Sequence, residues 1–336
     1  MPTLSPPLAT PPPRNLGLDL VRSTEAAALA ATRWMGLGKA DEADHDASEA
    51  MAHALNTLDM QGRIVIGEEG KLGRHSPLDG GSIIGTGHGP QVDVVVDPID
   101  GRRRLALGYS DAISVLGLAP RDSMWSPAPA VYMEKIVVDH DAAEALVPEC
   151  LDAPAAWTLA LVARVKHKPV RDLVVFVLDR PRHVDLVEEI RAAGARVLLR
   201  SDGDIAGGLM AAYPGGGVDL LMGTGGVAEG VIAACAVKAL RGRMLGRLAP
   251  QSEHEAAEVR AAGLDTQRIL SSDEMVKGDQ IFFAATGITD GLLLRGVQLH
   301  GREAATNSLV LRAETGTRRL IQTTHLLAWT PDAEQG

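Results

Sequence analysis

Five carboxylates lie where the chain turns or where a helix is expected to begin, and these residues could do metal chemistry. They are Asp44, Glu68, Asp97, Asp100 and Glu229. Hard divalent cations such as Mg²⁺ and Mn²⁺ take oxygen ligands, which carboxylates gathered from strand ends can supply. Taken singly, each acid also has a plainer explanation as a helix cap, a turn residue or a charge that offsets a helix dipole. The set predicts a metal site if the fold brings its members together.

The turn from Asp97 to Gly101 is the most specific of these signals. It follows an apolar run and reads Asp-Pro-Ile-Asp-Gly, so proline ends strand pairing and glycine allows the chain to turn. Two acids at this spacing direct both carboxylates and a backbone carbonyl to one place. That arrangement suits two cations about 3.5–4 Å apart, which clamp a phosphoryl group during its transfer.

Phosphate and sugar ligands are predicted at further strand ends. Arginine binds phosphate oxygens through a planar fork, and carboxylates accept hydrogen bonds from sugar hydroxyls. The plainer explanation for the arginines is surface ion pairing. The candidates are Arg180, Arg182 and His183 after one strand, and Asp202, Gly203 and Asp204 after the next.

A glycine-rich turn is predicted at residues 223–226, between a strand and a helix. Backbone amides and the positive end of a helix can hold an anion there. The segment lacks the Lys-Thr of a Walker motif, and Gly223, Gly225 and Ala228 match the dinucleotide-binding signature only loosely. A nicotinamide-dependent enzyme is therefore the weaker alternative.

Alternating strands and helices must position these groups, which indicates an α/β fold. We expect Ser23 or Thr24 to cap the first helix, and Asp44 to lie at the start of the second. Helices are predicted at residues 25–35, 46–58 and 228–240, with another ending at 191. Strands are predicted at 63–66, 92–96, 173–178, 196–199, 218–222 and 281–285, followed by a hairpin of 308–312 with 317–322. The expected domains are a disordered lead at 1–15, a metal-binding half at 16–153 and a sugar-phosphate-binding half at 154–330.

Composition narrows the function classes. The formal net charge of -10 disfavours a nucleic-acid surface, which needs clustered positive charge. No apolar run approaches the roughly 20 residues of a membrane span, and no signal peptide is recognisable, so a cytoplasmic protein is expected. The two cysteines, Cys150 and Cys235, form no C-x-x-C pair and are expected to be reduced and buried.

Together these segments resemble the class II fructose-1,6-bisphosphatase family, some members of which also cleave sedoheptulose 1,7-bisphosphate. The most specific blocks are residues 225–231 and 276–291, and similar stretches cover most of the chain. The resemblance implies a layered αβαβα fold shared with inositol monophosphatases. It also implies a Mg²⁺- or Mn²⁺-dependent hydrolase of carbohydrate metabolism and gluconeogenesis, acting as a homo-oligomer, either a dimer or a tetramer.

The resemblance also assigns residues. It implies metal ligands at Asp44, Glu68, Asp97, Asp100 and Glu229, with Asp100 standing where many members have glutamate. It implies substrate contacts at Tyr132, Arg180, Arg182, His183, Asp202, Gly203, Asp204 and Gly225.

Two departures from the family pattern concern catalysis. Gly70 replaces the second glutamate of the Gly-Glu-Gly-Glu motif, an acid that would orient or deprotonate the attacking water; Glu69 or Asp79 are the candidate substitutes. Arg102 stands where the family has threonine or serine, and a guanidinium cannot ligate a cation. Arg102 is therefore interpreted either as a ligand of a substrate phosphate or as a sign that the site has lost its catalytic function.

Three hypotheses follow. The leading one is a phosphatase that removes the 1-phosphate of fructose 1,6-bisphosphate or a related sugar bisphosphate. The second is a catalytically impaired paralogue that still binds sugar phosphates. The third is a phosphatase specialised for another phosphorylated metabolite.

Overall fold

The structure is a computed structural model that describes residues 16–68 and 75–327. The expected disordered lead at 1–15 and the candidate base Glu69 lie outside the described residues. The helices are α1 Gly17–Thr32, α2 Ala40–Leu55, α3 Arg102–Ala106, α4 Ala155–Val165, α5 Val184–Ala192, α6 Asp204–Ala212, α7 Val227–Ala239, α8 Glu253–Ala261 and α9 Ser272–Met275. The strands are β1 Gln61–Ile66, β2 Ile83–Ile84, β3 Gln91–Asp100, β4 Ile113–Pro120, β5 Tyr132–Val138, β6 Val174–Leu178, β7 Arg196–Arg200, β8 Leu220–Gly226, β9 Arg243–Leu248, β10 Leu270–Ser271, β11 Phe282–Gly287, β12 Gln298–His300, β13 Glu303–Arg312 and β14 Thr317–Leu326.

Two mixed sheets form the framework. The first runs β12-β13-β11-β4-β3-β1-β2, with β14 paired to β13. Only β1 and β3 are parallel among its described pairs. The second sheet runs β10-β9-β5-β8-β6-β7, and β6 lies parallel to both β7 and β8. The carboxyl ends of these three strands therefore meet at one edge, where ligands bind in open α/β sheets.

Helices and sheets alternate in five layers. Helices α1 and α2 pack on the outer face of the first sheet, where Leu20, Ala47 and Met51 are buried. Helices α6 and α7 fill the space between the sheets, around residues such as Leu209 and Val231. Helices α4 and α5 cover the outer face of the second sheet. The predicted αβαβα arrangement is confirmed.

Both N-terminal helices begin earlier than predicted. Ser23 and Thr24 are not caps but lie inside α1; the Thr24 hydroxyl donates to the carbonyl of Val21 at 2.9 Å and lies 2.7 Å from the hydroxyl of Thr286. Asp44 lies within α2 rather than at its start. In both helices, small apolar residues that contact the sheet extend the helical pattern past the polar residues that resemble caps.

The predicted turn at residues 223–226 is wrong. These residues are the last part of β8, and they pair with β5 from Tyr132 to Lys135. Glycine is a poor strand former when judged locally, but this long-range pairing holds the segment extended. Gly226 then caps α7 without an intervening loop.

The sheets are not consecutive parts of the chain. Strand β5, at Tyr132–Val138, already belongs to the second sheet, and residues 282–326 return to the first. The domain boundary at residues 153 and 154 stays a prediction.

Both cysteines are buried and form no disulfide, as expected. Burial raises the pKa of the Cys235 thiol to about 12, despite the opposing charge of Lys238. No helix in the described part of the chain is long and apolar enough to cross a lipid bilayer.

Candidate active site

A cleft of about 850 Å³ opens where strand ends from both sheets meet. Acids reach it from β3, from the start of α6 and from α7, and arginines reach it from α3 and from the loop after β6. Most of the predicted site residues line it: Asp97, Asp100, Arg102, Tyr132, Arg180, Arg182, Asp202, Gly203, Asp204, Gly225 and Glu229. The fold thus brings together residues that lie up to about 130 positions apart in the sequence.

The end of β3 carries Asp97 and Asp100 into the cleft. The pairing of β3 with β4 shifts register between these two residues, so the strand departs from regular geometry at the Pro-Ile step. Asp97 Oδ1 accepts the N–H of Ile99 at 3.2 Å, and Asp100 Oδ2 accepts the N–H of Ala206 at 3.0 Å. The second bond ties the first sheet to the start of α6. Both side chains are therefore fixed by backbone donors.

Asp100 lies in strongly negative surroundings. Burial raises its pKa well above the usual range, and the nearby charges of Asp97, Asp204 and Glu229 raise it further, against a smaller opposing effect of the Ala206 N–H. Glu229, in the first turn of α7, faces the backbone of Gly226 so closely that a side chain at that glycine would overlap it. A group of like charges of this kind is stabilised by a cation.

Asp44 and Glu68 lie beside this cleft rather than among its lining residues. Asp44 is fully buried in α2, and Arg102 Nη1 lies 3.4 Å from its Oδ2. Glu68 is buried just after β1, and its N–H donates to the carbonyl of Leu78 at 3.2 Å. That bond holds Glu68 and Leu78 next to each other, although they are ten positions apart in the sequence.

The arginines of the second sheet are held in place by neighbouring groups. Arg182 stacks over the ring of Tyr132, with 5.0 Å from guanidinium carbon to ring centroid. Its Nε and Nη2 donate to the carbonyl of Thr224 at 3.1 and 2.9 Å. Arg180 Nη2 pairs with Asp202 Oδ1 at 2.7 Å. A guanidinium has five N–H donors, so each arginine keeps donors for a phosphate.

His183 is held by two backbone groups and is not among the residues that line the cleft. Its Nδ1 lies 2.7 Å from the carbonyl of Leu178, and its Nε2 accepts the N–H of Thr224 at 2.8 Å. Burial lowers its pKa, so the neutral ring donates from Nδ1 and accepts at Nε2. His183 thus positions the backbone of Thr224, and the Thr224 carbonyl in turn accepts the N–H groups of Arg182. Its role as a direct substrate ligand stays a prediction.

Lys135, which is absent from the predicted set, pairs with Asp204 of the cleft lining. It is almost fully buried in β5, and its Nζ lies 2.5 Å from Asp204 Oδ2. Gly225 faces this pair so closely that an added Cβ would overlap both side chains. A lone lysine inside an apolar strand was the available signal, because lysine is seldom fully buried unless paired.

Asp79, the candidate substitute base, lies outside the cleft lining. Its Oδ2 is 2.6 Å from His75 Nδ1 and accepts the N–H of Ser76 at 3.0 Å. Asp79 therefore holds in place residues 75 and 76, which lie just before Leu78. Its catalytic role stays a prediction, as does that of Glu69.

Comparison with known proteins identifies the family. Residues 14–325 match the family described as bacterial fructose-1,6-bisphosphatase, glpX-encoded. The chain belongs to this family. It is 39% identical over 327 residues to the class 2 fructose-1,6-bisphosphatase of Haemophilus influenzae, a match that covers 94% of this chain and 97% of that protein. It is 37% identical to fructose-1,6-bisphosphatase 1 class 2 of Escherichia coli K12, with 94% and 96% covered.

Membership of the glpX-encoded fructose-1,6-bisphosphatase family confirms the predicted enzyme class, that of phosphoric monoester hydrolases, and implies metal-dependent catalysis. The described residues fit a hard divalent cation in donor type and in charge, through Asp97, Asp100 and Glu229. They do not form a ready set of ligands: within residues 16–68 and 75–327, no three His, Cys, Asp or Glu side chains are grouped to hold a metal. The fit therefore rests on the negative charge around Asp100.

Proposed function

We propose that this chain hydrolyses the 1-phosphate of fructose 1,6-bisphosphate or a related sugar bisphosphate, using Mn²⁺ or Mg²⁺. The observation that carries the proposal is that one cleft is lined both by acids and by arginines. We call Asp97, Asp100 and Glu229 its acidic wall, and Arg180 and Arg182 its basic wall. A substrate with two phosphates needs both, because one phosphate reacts and the other anchors the molecule.

On the basic side, Arg182 is the principal anchor for the second phosphate. Tyr132 stacks on its guanidinium and Thr224 accepts two of its N–H groups, so little side-chain freedom remains to be lost on binding. Asp202 and Asp204 lie beside it as acceptors for sugar hydroxyls. Glu255 holds the backbone at Val131 and Tyr132 in place, because its Oε1 accepts the N–H groups of both residues, at 2.8 and 2.9 Å.

On the acidic side, Asp97, Asp100 and Glu229 would hold the cation, with Asp44 and Glu68 next to them. A bound divalent cation would offset charge on the phosphoryl group and lower the pKa of the attacking water. The backbone donors from Ile99 and Ala206 keep the two β3 carboxylates oriented. Glu69 and Asp79 remain the candidates for accepting the proton of the water.

The test is phosphate release from a panel of sugar mono- and bisphosphates, with Mn²⁺ and with Mg²⁺. We expect turnover of fructose 1,6-bisphosphate that Asp97→Ala abolishes. Arg182→Met should raise the KM for the bisphosphate by at least about tenfold, with a smaller effect on a monophosphate. Absence of turnover on every substrate, with fold intact by circular dichroism, would overturn the proposal.

One observation favours a second candidate, the catalytically impaired paralogue that binds sugar phosphates: Arg102 points its guanidinium at Asp44, a predicted metal ligand. Binding of fructose 1,6-bisphosphate without turnover would identify that case. Turnover of another phosphorylated metabolite alone would identify a specialised phosphatase. We further propose a cytoplasmic homo-oligomer, dimer or tetramer, which sedimentation velocity tests directly.

A further inference from the structure

Glu255 holds two residues of the cleft lining without belonging to that lining itself. It lies in the first turn of α8 and is buried, with 6% of its surface exposed. Its Oε1 accepts the N–H groups of Val131 and Tyr132 at 2.8 and 2.9 Å, and its Oε2 accepts the N–H of Gln251 at 2.8 Å. One carboxylate thus joins α8 to the start of β5, although Glu255 and Val131 are 124 positions apart in the sequence.

This contact uses a glutamate at a position that usually serves its own helix. Ser252 is the N-cap of α8, and its side chain accepts the N–H of Glu255 at 3.1 Å. At this third helical position, a glutamate commonly returns the bond to the backbone N–H of the cap residue. Here the carboxylate reaches Gln251 with one oxygen and β5 with the other. Because three backbone N–H groups bind the carboxylate, its orientation is fixed, and it transfers the position of α8 to β5.

The residues that Glu255 holds include the aromatic partner of the phosphate anchor. The ring of Tyr132 lies under the guanidinium of Arg182, at 5.0 Å from its carbon to the ring centroid. A shift of the backbone at the start of β5 would move the ring away and leave Thr224 as the partner of Arg182 among the described residues. An arginine with fewer contacts gains rotamer freedom, which it must lose again when it binds phosphate. The position of Tyr132 therefore affects how tightly Arg182 can bind.

We propose that Glu255 is a positioning residue for substrate recognition: by fixing the backbone of Val131 and Tyr132, it keeps Tyr132 stacked on Arg182 and sets the affinity for the anchoring phosphate. The inference rests on the proposed function, in which Arg182 anchors the second phosphate. It gives a role in substrate affinity to α8, a helix from which none of the described residues lines the cleft.

The experiment measures the binding of fructose 6-phosphate, the product of the proposed reaction, which keeps the anchoring phosphate. Isothermal titration calorimetry without metal gives the Kd for wild type, Glu255→Ala, Glu255→Gln and Glu253→Ala. Glu253 is exposed in the same turn of α8, so E253A removes the same charge from the same helix end and is the matched control. We expect the Kd to rise about tenfold in E255A and to stay within about twofold of wild type in E253A. E255Q should lie within about threefold of wild type, because its carbonyl oxygen can still accept both N–H groups of β5.

A double-mutant cycle with Arg182→Met shows whether the effect of Glu255 runs through the arginine. We expect E255A to change the Kd by less than about twofold in the R182M background, because the side chain that Glu255 helps to position is then absent. A general loss of packing would weaken binding by the same factor in both backgrounds, and equal factors would refute the inference. E255A that binds as tightly as wild type would also refute it. E255Q that binds as weakly as E255A would assign the effect to the charge of the carboxylate instead of its bonds with β5, and would refute it too.

The outcomes separate this inference from the proposed function. The expected pattern of Kd values, in a protein that releases no phosphate from fructose 1,6-bisphosphate with Mn²⁺ or Mg²⁺, would overturn the proposed hydrolysis and leave the role of Glu255 standing. Phosphate release by a wild type that binds fructose 6-phosphate no more tightly than R182M would overturn the inference alone. Neither binding nor turnover would overturn both. If E255A does not fold by circular dichroism, Glu255→Asp, which withdraws the carboxylate from β5 by one methylene group, is held to the same criteria.

Discussion

Replacing Lys135 by methionine tests the buried ion pair that underlies the basic wall of the cleft. The 2.5 Å separation of Lys135 Nζ and Asp204 Oδ2 corresponds to about 7 kcal/mol of attraction at an effective dielectric of about 20. Most of that is offset by the loss of hydration of the two ions. Removing only the lysine leaves a buried carboxylate facing Asp100, and breaking such pairs typically costs about 3–5 kcal/mol. We expect Lys135→Met to lower the free energy of unfolding by that amount.

The assay is urea denaturation at pH 7, followed by far-UV circular dichroism. The double variant with Asp204→Asn removes the stranded charge and should recover about half of the loss. Lys277→Met, at an exposed position, is the matched control and should change stability by less than about 0.5 kcal/mol. A loss below about 1 kcal/mol in Lys135→Met, or a double variant less stable than the single one, would refute the reasoning.

Two further predictions concern other contacts. Burial raises the pKa of Asp219, but hydrogen bonds from Lys168 and the Val174 N–H, with the charge of Lys166, outweigh it and lower the pKa overall. The stability this carboxylate contributes is therefore present above its unfolded pKa of about 3.9 and is lost as pH falls through the lower folded value. Urea unfolding should show wild type more stable than Asp219→Asn above pH 5, with the difference shrinking below about pH 4; a constant difference would contradict this. Gly225→Ala should reduce the rate of phosphate release at least about tenfold because its methyl overlaps the Lys135 pair, and an unchanged rate would show that the cleft tolerates that displacement.

Much of the site was predictable because its signals are local. Acids and arginines at the ends of apolar strands mark a sheet edge without knowledge of the pairing, and this pattern predicts that Asp97, Asp100 and Arg182 share a cleft, which they line. The strand-end rule works because parallel strands bring their carboxyl ends together.

What could not be predicted depends on long-range contacts. The pairing of β5 with β8 makes residues 223–226 a strand, and no local preference encodes it. The contacts of both ring nitrogens of His183, with backbone groups at Leu178 and Thr224, are likewise not encoded by any local pattern. Lys135 acquires its importance only through Asp204, 69 positions away.

The first sheet is assembled from both ends of the chain, and this has a consequence for synthesis on the ribosome. The second sheet, from β5 to β10, is continuous in sequence and can pair as soon as residue 271 has emerged. In the first sheet, β4 waits for β11, and helix α1 waits for β13, where Glu25 accepts a hydrogen bond from Thr306 at 3.1 Å. The sheet that carries Asp97 and Asp100 is thus begun early in translation and completed last, so a ribosome stalled before β11 would display an open sheet edge to chaperones.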